Sequence, residues 1–175
     1  MPPAQQTTPS RFLARCVSID LEVDPKSARI FAFAAASHDD ARAALTEGHA
    51  THPALSRLDT YCSGFAHALG HNILHHDLPH LAAAAPRFAA LAEAPIDTLW
   101  LNPLAFPRNP YHHLVKHYHD GRLQSGHVND PEQDARLVFE VLQNQIEAFG
   151  KLNATTPDAL TAYHFLTTRL PRNGG

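Results

Sequence analysis

The segment CVSIDLE, residues 16–22, has the alternating pattern of a β-strand whose second half carries two carboxylates. Apolar and polar side chains follow one another singly, which is the period of an extended chain. Asp20 and Glu22 therefore project from the same face of the strand, about 7 Å apart along it. Carboxylates placed this way repel each other, and more strongly where they are buried. The segment indicates either a solvated strand end or an oxygen-ligand site for a hard cation.

Length, composition and charge limit the classes of protein to which the chain can belong. With 175 residues, of which 44% are hydrophobic, the chain is long enough for one domain with a sizeable core. It has no apolar run of membrane-spanning length, and residues 1–10 lack the apolar centre of a secretory signal. Cys16 and Cys62 suggest neither a disulfide framework nor a thiolate zinc site, so we expect a reducing, cytoplasmic environment. The formal charge of −3 does not indicate a general nucleic-acid binder, but it allows an enzyme that holds phosphates through metal ions.

The order of the elements predicts an α/β fold with a mixed sheet, because strands come first, then mixed elements, then helices. We predict a flexible leader over residues 1–12, one domain over 13–168 and a tail or linker over 169–175. The predicted strands cover residues 16–22, 28–36, 43–46, 65–69 and 96–101, and the first two form an antiparallel hairpin. The predicted helices cover residues 53–63, 73–85, 110–118, 131–150 and 157–168, with Gly150 expected to end the fourth.

A cation site at the first strand needs further carboxylates, and the chain offers two candidates. Asp77 lies in a predicted helix beside Leu74 and Leu78, so its side chain is expected to face inward. Asp134 lies in the first turn of a helix for which Asp130 has the pattern of an N-cap. Each has an ordinary explanation, since Asp134 complements the helix dipole and Asp77 suits a solvated helix surface. Only the combination of these carboxylates with Asp20 and Glu22 therefore indicates a function.

The order and context of these carboxylates resemble the motifs of DnaQ-like (DEDD) 3′–5′ exonucleases, whose fold is ribonuclease-H-like. The first motif is DLE at residues 20–22, the second is HNILHHD at residues 71–77, and the third is DA at residues 134–135. The resemblance covers residues 15–150. The stretch LNPLAFPRNPYHHLVK, residues 101–116, is similar to a bacterial subgroup in which such a domain precedes a RecQ-like helicase.

The resemblance implies a three-layer fold with a mixed, mainly five-stranded central sheet flanked by helices. It implies hydrolysis at the 3′ end of nucleic acid by two Mg²⁺ or Mn²⁺ ions, one activating the attacking water and the other stabilising the leaving oxygen. The implied metal ligands are Asp20, which bridges both ions, and Glu22, Asp77 and Asp134. The implied partners are a single-stranded or frayed 3′ end, of DNA or of RNA, and a fused or associated helicase, with no membrane.

The sequence departs from the family where a general base is expected. One branch, DEDDh, has histidine five residues before the last aspartate, where this chain has Asn129. A second branch has tyrosine four residues before it, where this chain has Asp130. His127 is then the candidate base, and Asn129 is a candidate to position water or a phosphate. Without a base we expect the rate to fall by roughly 10²–10⁴-fold.

Several residues outside the carboxylate set are expected to contact substrate, and the histidines leave other functions open. The predicted substrate-binding residues are Leu21, His71, Asn72, Asn129 and Lys116. Lys116, Arg108 and Arg122 either hold the scissile strand or are ordinary surface charges. The 14 histidines include helix-spaced pairs at 71/75 and 76/80, which leaves a zinc-dependent hydrolase or histidine-rich metal binder as one alternative. The other alternative is a non-catalytic module that binds a nucleic-acid end and is tethered to a helicase or other partner.

Overall fold

Strands and helices alternate irregularly along the chain. The computed structural model describes residues 8–39, 44–88, 95–109, 112, 114 and 130–169, without the side chains of residues 8, 168 and 169. The strands are β1 (Cys16–Val23), β2 (Ile30–Ser37), β3 (Leu45–Glu47), β4 (His67–Gly70) and β5 (Ile96–Asp97). The helices are α1 (Thr8–Leu13), α2 (His52–Cys62), α3 (Asp77–Ala84), α4 (Thr98–Ala105), α5 (Pro131–Thr155) and α6 (Pro157–Arg169). Within these ranges no helix combines the length and the apolar character needed to cross a bilayer.

The first strand occupies the centre of a five-stranded mixed sheet with the order β3-β2-β1-β4-β5. It pairs antiparallel with β2, which confirms the predicted hairpin, and parallel with β4. The hairpin turn is held by Asp24, whose Oδ1 accepts hydrogen bonds from the backbone N–H groups of Lys26 and Ser27, each at 2.8 Å. These bonds, that of Ser27 foremost, lower the pKa of the Asp24 carboxyl.

Helices cover both faces of the sheet, and the alternation of β1 decides which residue meets which layer. On one face Val17, Ile19 and Leu21 belong to a core that also contains residues of α2 and the segment around α3. On the other face Cys16 packs in a second core with α1 and α5, through residues such as Val138. Asp20 is in phase with Cys16 and therefore lies on the α5 face. The predicted α/β class is confirmed, and the arrangement is consistent with a ribonuclease-H-like fold.

Three predicted boundaries are wrong by more than two residues. Residues 73–76 form turns, so α3 begins at Asp77 rather than at residue 73. The strand predicted over residues 96–101 stops at Asp97, because the Asp97 carboxylate accepts the N–H of Leu99 at 3.0 Å and starts α4. The fourth predicted helix passes through Gly150 and ends at Thr155, because this exposed glycine keeps a helical backbone.

Three further predictions concern the two ends of the domain and the segment after α4. Residues 8–12 of the predicted flexible leader form α1 together with Leu13, which is buried in the core shared with α5. The predicted helix over residues 110–118 and the connection that follows it fall mainly outside the described residues. The helix predicted over residues 157–168 is confirmed as α6.

Both cysteines are buried, which leads to a prediction about their reactivity. Burial raises the pKa of the Cys16 thiol to about 11 and that of the Cys62 thiol to about 12. Because the thiolate is the reactive form, neither thiol should react with Ellman's reagent at pH 8 in the folded protein. In denaturant both should react rapidly. Rapid release of colour from the native protein, with circular dichroism unchanged, would contradict the burial.

Candidate metal centre

Three carboxylates meet beside the second half of β1. One oxygen each of Asp20, Glu22 and Asp134 lies within 4.8 Å of the others. Asp20 and Glu22 come from the α5 face of β1 and are partly buried, whereas Asp134 comes from the first turn of α5 and is buried. The structure thus brings together three of the four carboxylates predicted as metal ligands.

The start of α5 is held in place by capping and by a link to the edge of the sheet. Asp130 is the N-cap, and its Oδ1 accepts the N–H groups of Glu132 and Gln133 at 3.1 and 3.3 Å. Glu132 in turn accepts a hydrogen bond from the hydroxyl of Thr46 on β3 at 2.9 Å. These contacts fix the first turn of α5, which carries Asp134, against the sheet.

Small side chains let this turn approach the sheet closely. Ala135, the neighbour of Asp134, packs against Ala34 and Ala36 of β2, and all three are fully buried. Ala34 is the register partner of Asp20 across the hairpin. Because alanine adds only a methyl group to the backbone, the helix comes near enough for Asp134 to reach the carboxylates of β1.

Asp77 stands apart from the group of three but touches the same strand. Pairing between β1 and β4 ends at Ser18, so the N–H of Leu21 lies past the end of β4 and does not bond to that strand. Asp77 Oδ1 accepts that N–H at 3.0 Å, and the Asp77 side chain is buried. Burial raises the pKa of Asp77, against the opposing effects of His76 and of the Leu21 N–H. Asp77, the fourth predicted ligand, is therefore hydrogen-bonded to the backbone of Leu21, the residue between Asp20 and Glu22.

His76 links Asp77 to the carboxylate group electrostatically. Its Nδ1 lies 3.5 Å from Asp77 Oδ1. The pKa of His76 is raised, first by this contact and also by the negative charges of Asp77, Asp20 and Glu22. The loop between β4 and α3 therefore lies within electrostatic reach of Asp20 and Glu22.

Asp97, which is not among the site residues predicted from the sequence, organises this loop. The residue is 5% exposed. Its Oδ1 accepts the N–H of Asn72 at 2.9 Å, and its Oδ2 accepts the N–H of Leu74 at 3.1 Å. Together with its bond to Leu99, Asp97 joins the β4–α3 loop to the start of α4. Aspartate is a common N-cap residue, and Asp97 lies between an apolar strand and the residues that form α4. The sequence could therefore have indicated its capping role.

His71 and Asn72, predicted to contact substrate, lie in the frame of the same loop. The single hydroxyl proton of Thr98 is donated to the Gly70 carbonyl at 3.2 Å. The Thr98 oxygen also lies 2.9 Å from His71 Nδ1, so this side chain joins the end of β4 to His71. Asn72 has a left-handed φ of 72° that suits the tight turn. Gly70 is required there, because a Cβ would stand 2.7 Å from Ile73 Cβ.

The remaining predicted residues divide into two groups. Arg108 is exposed after the end of α4. Lys116, Arg122, His127 and Asn129 fall outside the described residues, so the predictions about the general base and the nearby positive charges stay predictions. Among the residues whose placement is described, one group of three or more His, Cys, Asp or Glu has metal-ligand spacing, and it contains carboxylates only. The histidine pairs do not contribute to it.

Fold and site together define an α/β protein with a carboxylate group beside the central strand of a five-stranded mixed sheet, an arrangement consistent with a ribonuclease-H-like fold. No protein-family model matches the chain, and no curated protein is significantly similar to it.

Proposed function

We propose that the chain is a metal-dependent 3′–5′ exonuclease that hydrolyses phosphodiester bonds at the 3′ end of nucleic acid. The observation that carries the proposal is the meeting of Asp20, Glu22 and Asp134, with oxygens within 4.8 Å of one another, at the centre of the sheet. The resemblance of the three motifs to DnaQ-like exonucleases supports the reaction. It also supports a single-stranded 3′ end, DNA in preference to RNA, as substrate and a fused or associated helicase as the source of frayed ends.

The chemistry of the donor set fits Mg²⁺ or Mn²⁺. All three groups offer oxygen, the ligand that hard cations prefer, and none offers sulfur or nitrogen. Asp20, Glu22 and Asp134 would hold the ions, with Asp77 completing the set from the other side of the Leu21 backbone. Two divalent ions supply activation of water and stabilisation of the charge that develops on the oxygens of the scissile phosphate.

The protein's own contribution is to position these groups. The capped start of α5 holds Asp134, and the backbone of β1 holds Asp20 and Glu22 in a fixed register with β2. Asp97 holds the loop that leads to Asp77. Because Asp20 and Glu22 belong to a paired strand and Asp134 belongs to a capped helix start, little reorganisation of these three is needed when substrate binds.

A degradation assay tests the proposal. A single strand labelled at its 5′ end should give a ladder of shortened products with Mg²⁺ or Mn²⁺, and a circular strand of the same sequence should stay intact. Chelation should stop the reaction. Asp20→Ala, purified in the same way, should give no ladder, whereas Glu140→Gln, an exposed acid on the same helix as Asp134, should behave as wild type. Binding of the strand without degradation in either metal would refute the proposal and favour the non-catalytic end-binding alternative.

A further inference from the structure

Two aromatic rings face each other at the surface between the β4–α3 loop and α4. The centroids of the His75 and Trp100 rings are 5.5 Å apart, with an angle of 37° between the ring planes. Trp100 is the single tryptophan of the chain and is 56% exposed. Leu74, next to His75, is also exposed. We call His75 and Trp100 the ring pair.

The ring pair lies at the same edge of the sheet as the carboxylate group. β1, β4 and β5 are parallel, and residues 74–75 follow the end of β4 while Trp100 follows the end of β5. Helix α4, which carries Trp100, packs on α5, the helix that covers the face of the sheet on which Asp20 lies. Two strand spacings separate β1 from β5, or about 10 Å.

The ring pair is held rigidly by bonds that lie beneath it. The buried Asp97 carboxylate accepts the N–H of Leu74, which precedes His75, and the N–H of Leu99, which precedes Trp100. One side chain therefore fixes both backbones that carry the rings. An exposed aromatic surface that is already ordered can stack on a planar group with little further loss of conformational entropy.

We propose that the ring pair is a stacking platform for a nucleobase of the strand whose 3′ end lies at the carboxylate group. The inference deepens the proposed function and rests on it. The platform accepts any base, since each base has a π face, and it does not distinguish DNA from RNA. We expect the stacked base to lie a few nucleotides from the scissile bond, because β1 and β5 are two strand spacings apart and each stacked nucleotide rises about 3.4 Å.

The single tryptophan makes the platform directly observable. In an Asp20→Asn background, which is used to slow turnover, a single-stranded oligonucleotide should quench the indole emission of Trp100 in a saturable way. Oligonucleotides with one abasic site should lose the quenching only when the site lies a few nucleotides from the 3′ end. Uniform loss at every position, or saturable binding without quenching, would overturn the platform.

Substitution gives an independent measure. Trp100→Ala should weaken binding of a dye-labelled oligonucleotide, followed by anisotropy, by about 5- to 150-fold, the usual worth of one base stacked on an aromatic ring. Trp100→Phe should recover most of the affinity. Phe165→Ala is the matched control, because Phe165 on α6 is also 56% exposed, and this variant should bind as wild type.

These readouts measure binding and not hydrolysis, so the two proposals fail separately. Normal laddering together with equal affinity of wild type and Trp100→Ala would refute the platform and leave the exonuclease proposal standing. Position-specific quenching without any laddering would refute the exonuclease proposal and leave the platform standing. No binding of the oligonucleotide by any variant would refute the platform.

Discussion

Asp134→Asn is expected to lower the rate of metal-dependent degradation from the 3′ end by roughly 10³-fold or more. The carboxylate of Asp134 lies within 4.8 Å of those of Asp20 and Glu22. An amide of the same shape cannot supply the negative charge that holds a divalent cation, and such ions contribute several kcal/mol to stabilising the transition state. Initial rates on a 5′-labelled single strand, at equal protein concentration and saturating Mn²⁺, measure the effect.

The same substitution should remove most of the stabilisation of the fold by cations. At 100 times the Kd, a ligand that binds only the folded protein stabilises it by about 2.7 kcal/mol. For a chain of this size that corresponds to a rise of roughly 5–11 °C in Tm. Wild type and Glu140→Gln should both display this rise with Mn²⁺, and Asp134→Asn should not. An unchanged rate and an unchanged cation-dependent rise in Asp134→Asn would exclude Asp134 as a ligand.

Asp97→Ala is expected to lower the free energy of unfolding by about 3–5 kcal/mol, the largest effect on stability that we predict. Asp97 is buried and accepts three backbone N–H groups, those of Asn72, Leu74 and Leu99. Removal of the carboxylate leaves these donors without an acceptor where water does not easily replace it. Urea denaturation, followed by circular dichroism, measures the loss.

Two variants calibrate this experiment. Asp97→Asn keeps one carbonyl oxygen and should lose less stability than Asp97→Ala. Asp24→Ala removes a carboxylate that also accepts two backbone N–H groups, but in an exposed turn where water replaces it, so the loss should be much smaller. Equal losses in Asp97→Ala and Asp24→Ala would contradict the role of burial. Asp97→Ala should also lower exonuclease activity, since Asp97 holds the loop that delivers Asp77.

Local patterns predicted much of the fold correctly. The alternation in residues 16–22 predicted β1, and the apolar segment after the turn at Asp24 predicted its antiparallel partner β2. The Asp130 cap predicted the start of α5. These elements depend on interactions between residues a few positions apart, such as side-chain periodicity and capping, which are written in the sequence itself.

Two of the mispredicted boundaries involve Asp97. The early end of β5 follows from its local bond to the Leu99 N–H, whereas the turns before α3 are bonded to it from 23 and 25 residues away in the chain. Apolar residues in 73–76 and 98–101 have patterns that suit a helix and a strand, respectively, so periodicity alone favoured the wrong element. The ring pair of His75 and Trp100 also depends on contacts between distant residues, because the two rings come from segments that lie far apart in the chain and are both bonded to Asp97.

The sequence by itself determined that Asp20 and Glu22 share one face of the central strand and that Asp134 stands at the start of a capped helix. Only the tertiary structure decided that these three meet, because that depends on how closely α5 approaches β2 across small side chains. It also decided that Asp77 bonds to the Leu21 backbone, because β4 stops short of that position and leaves an N–H for it. Alternation and capping act within one element, whereas the distance between two elements is set by the packing of side chains that lie far apart in the chain.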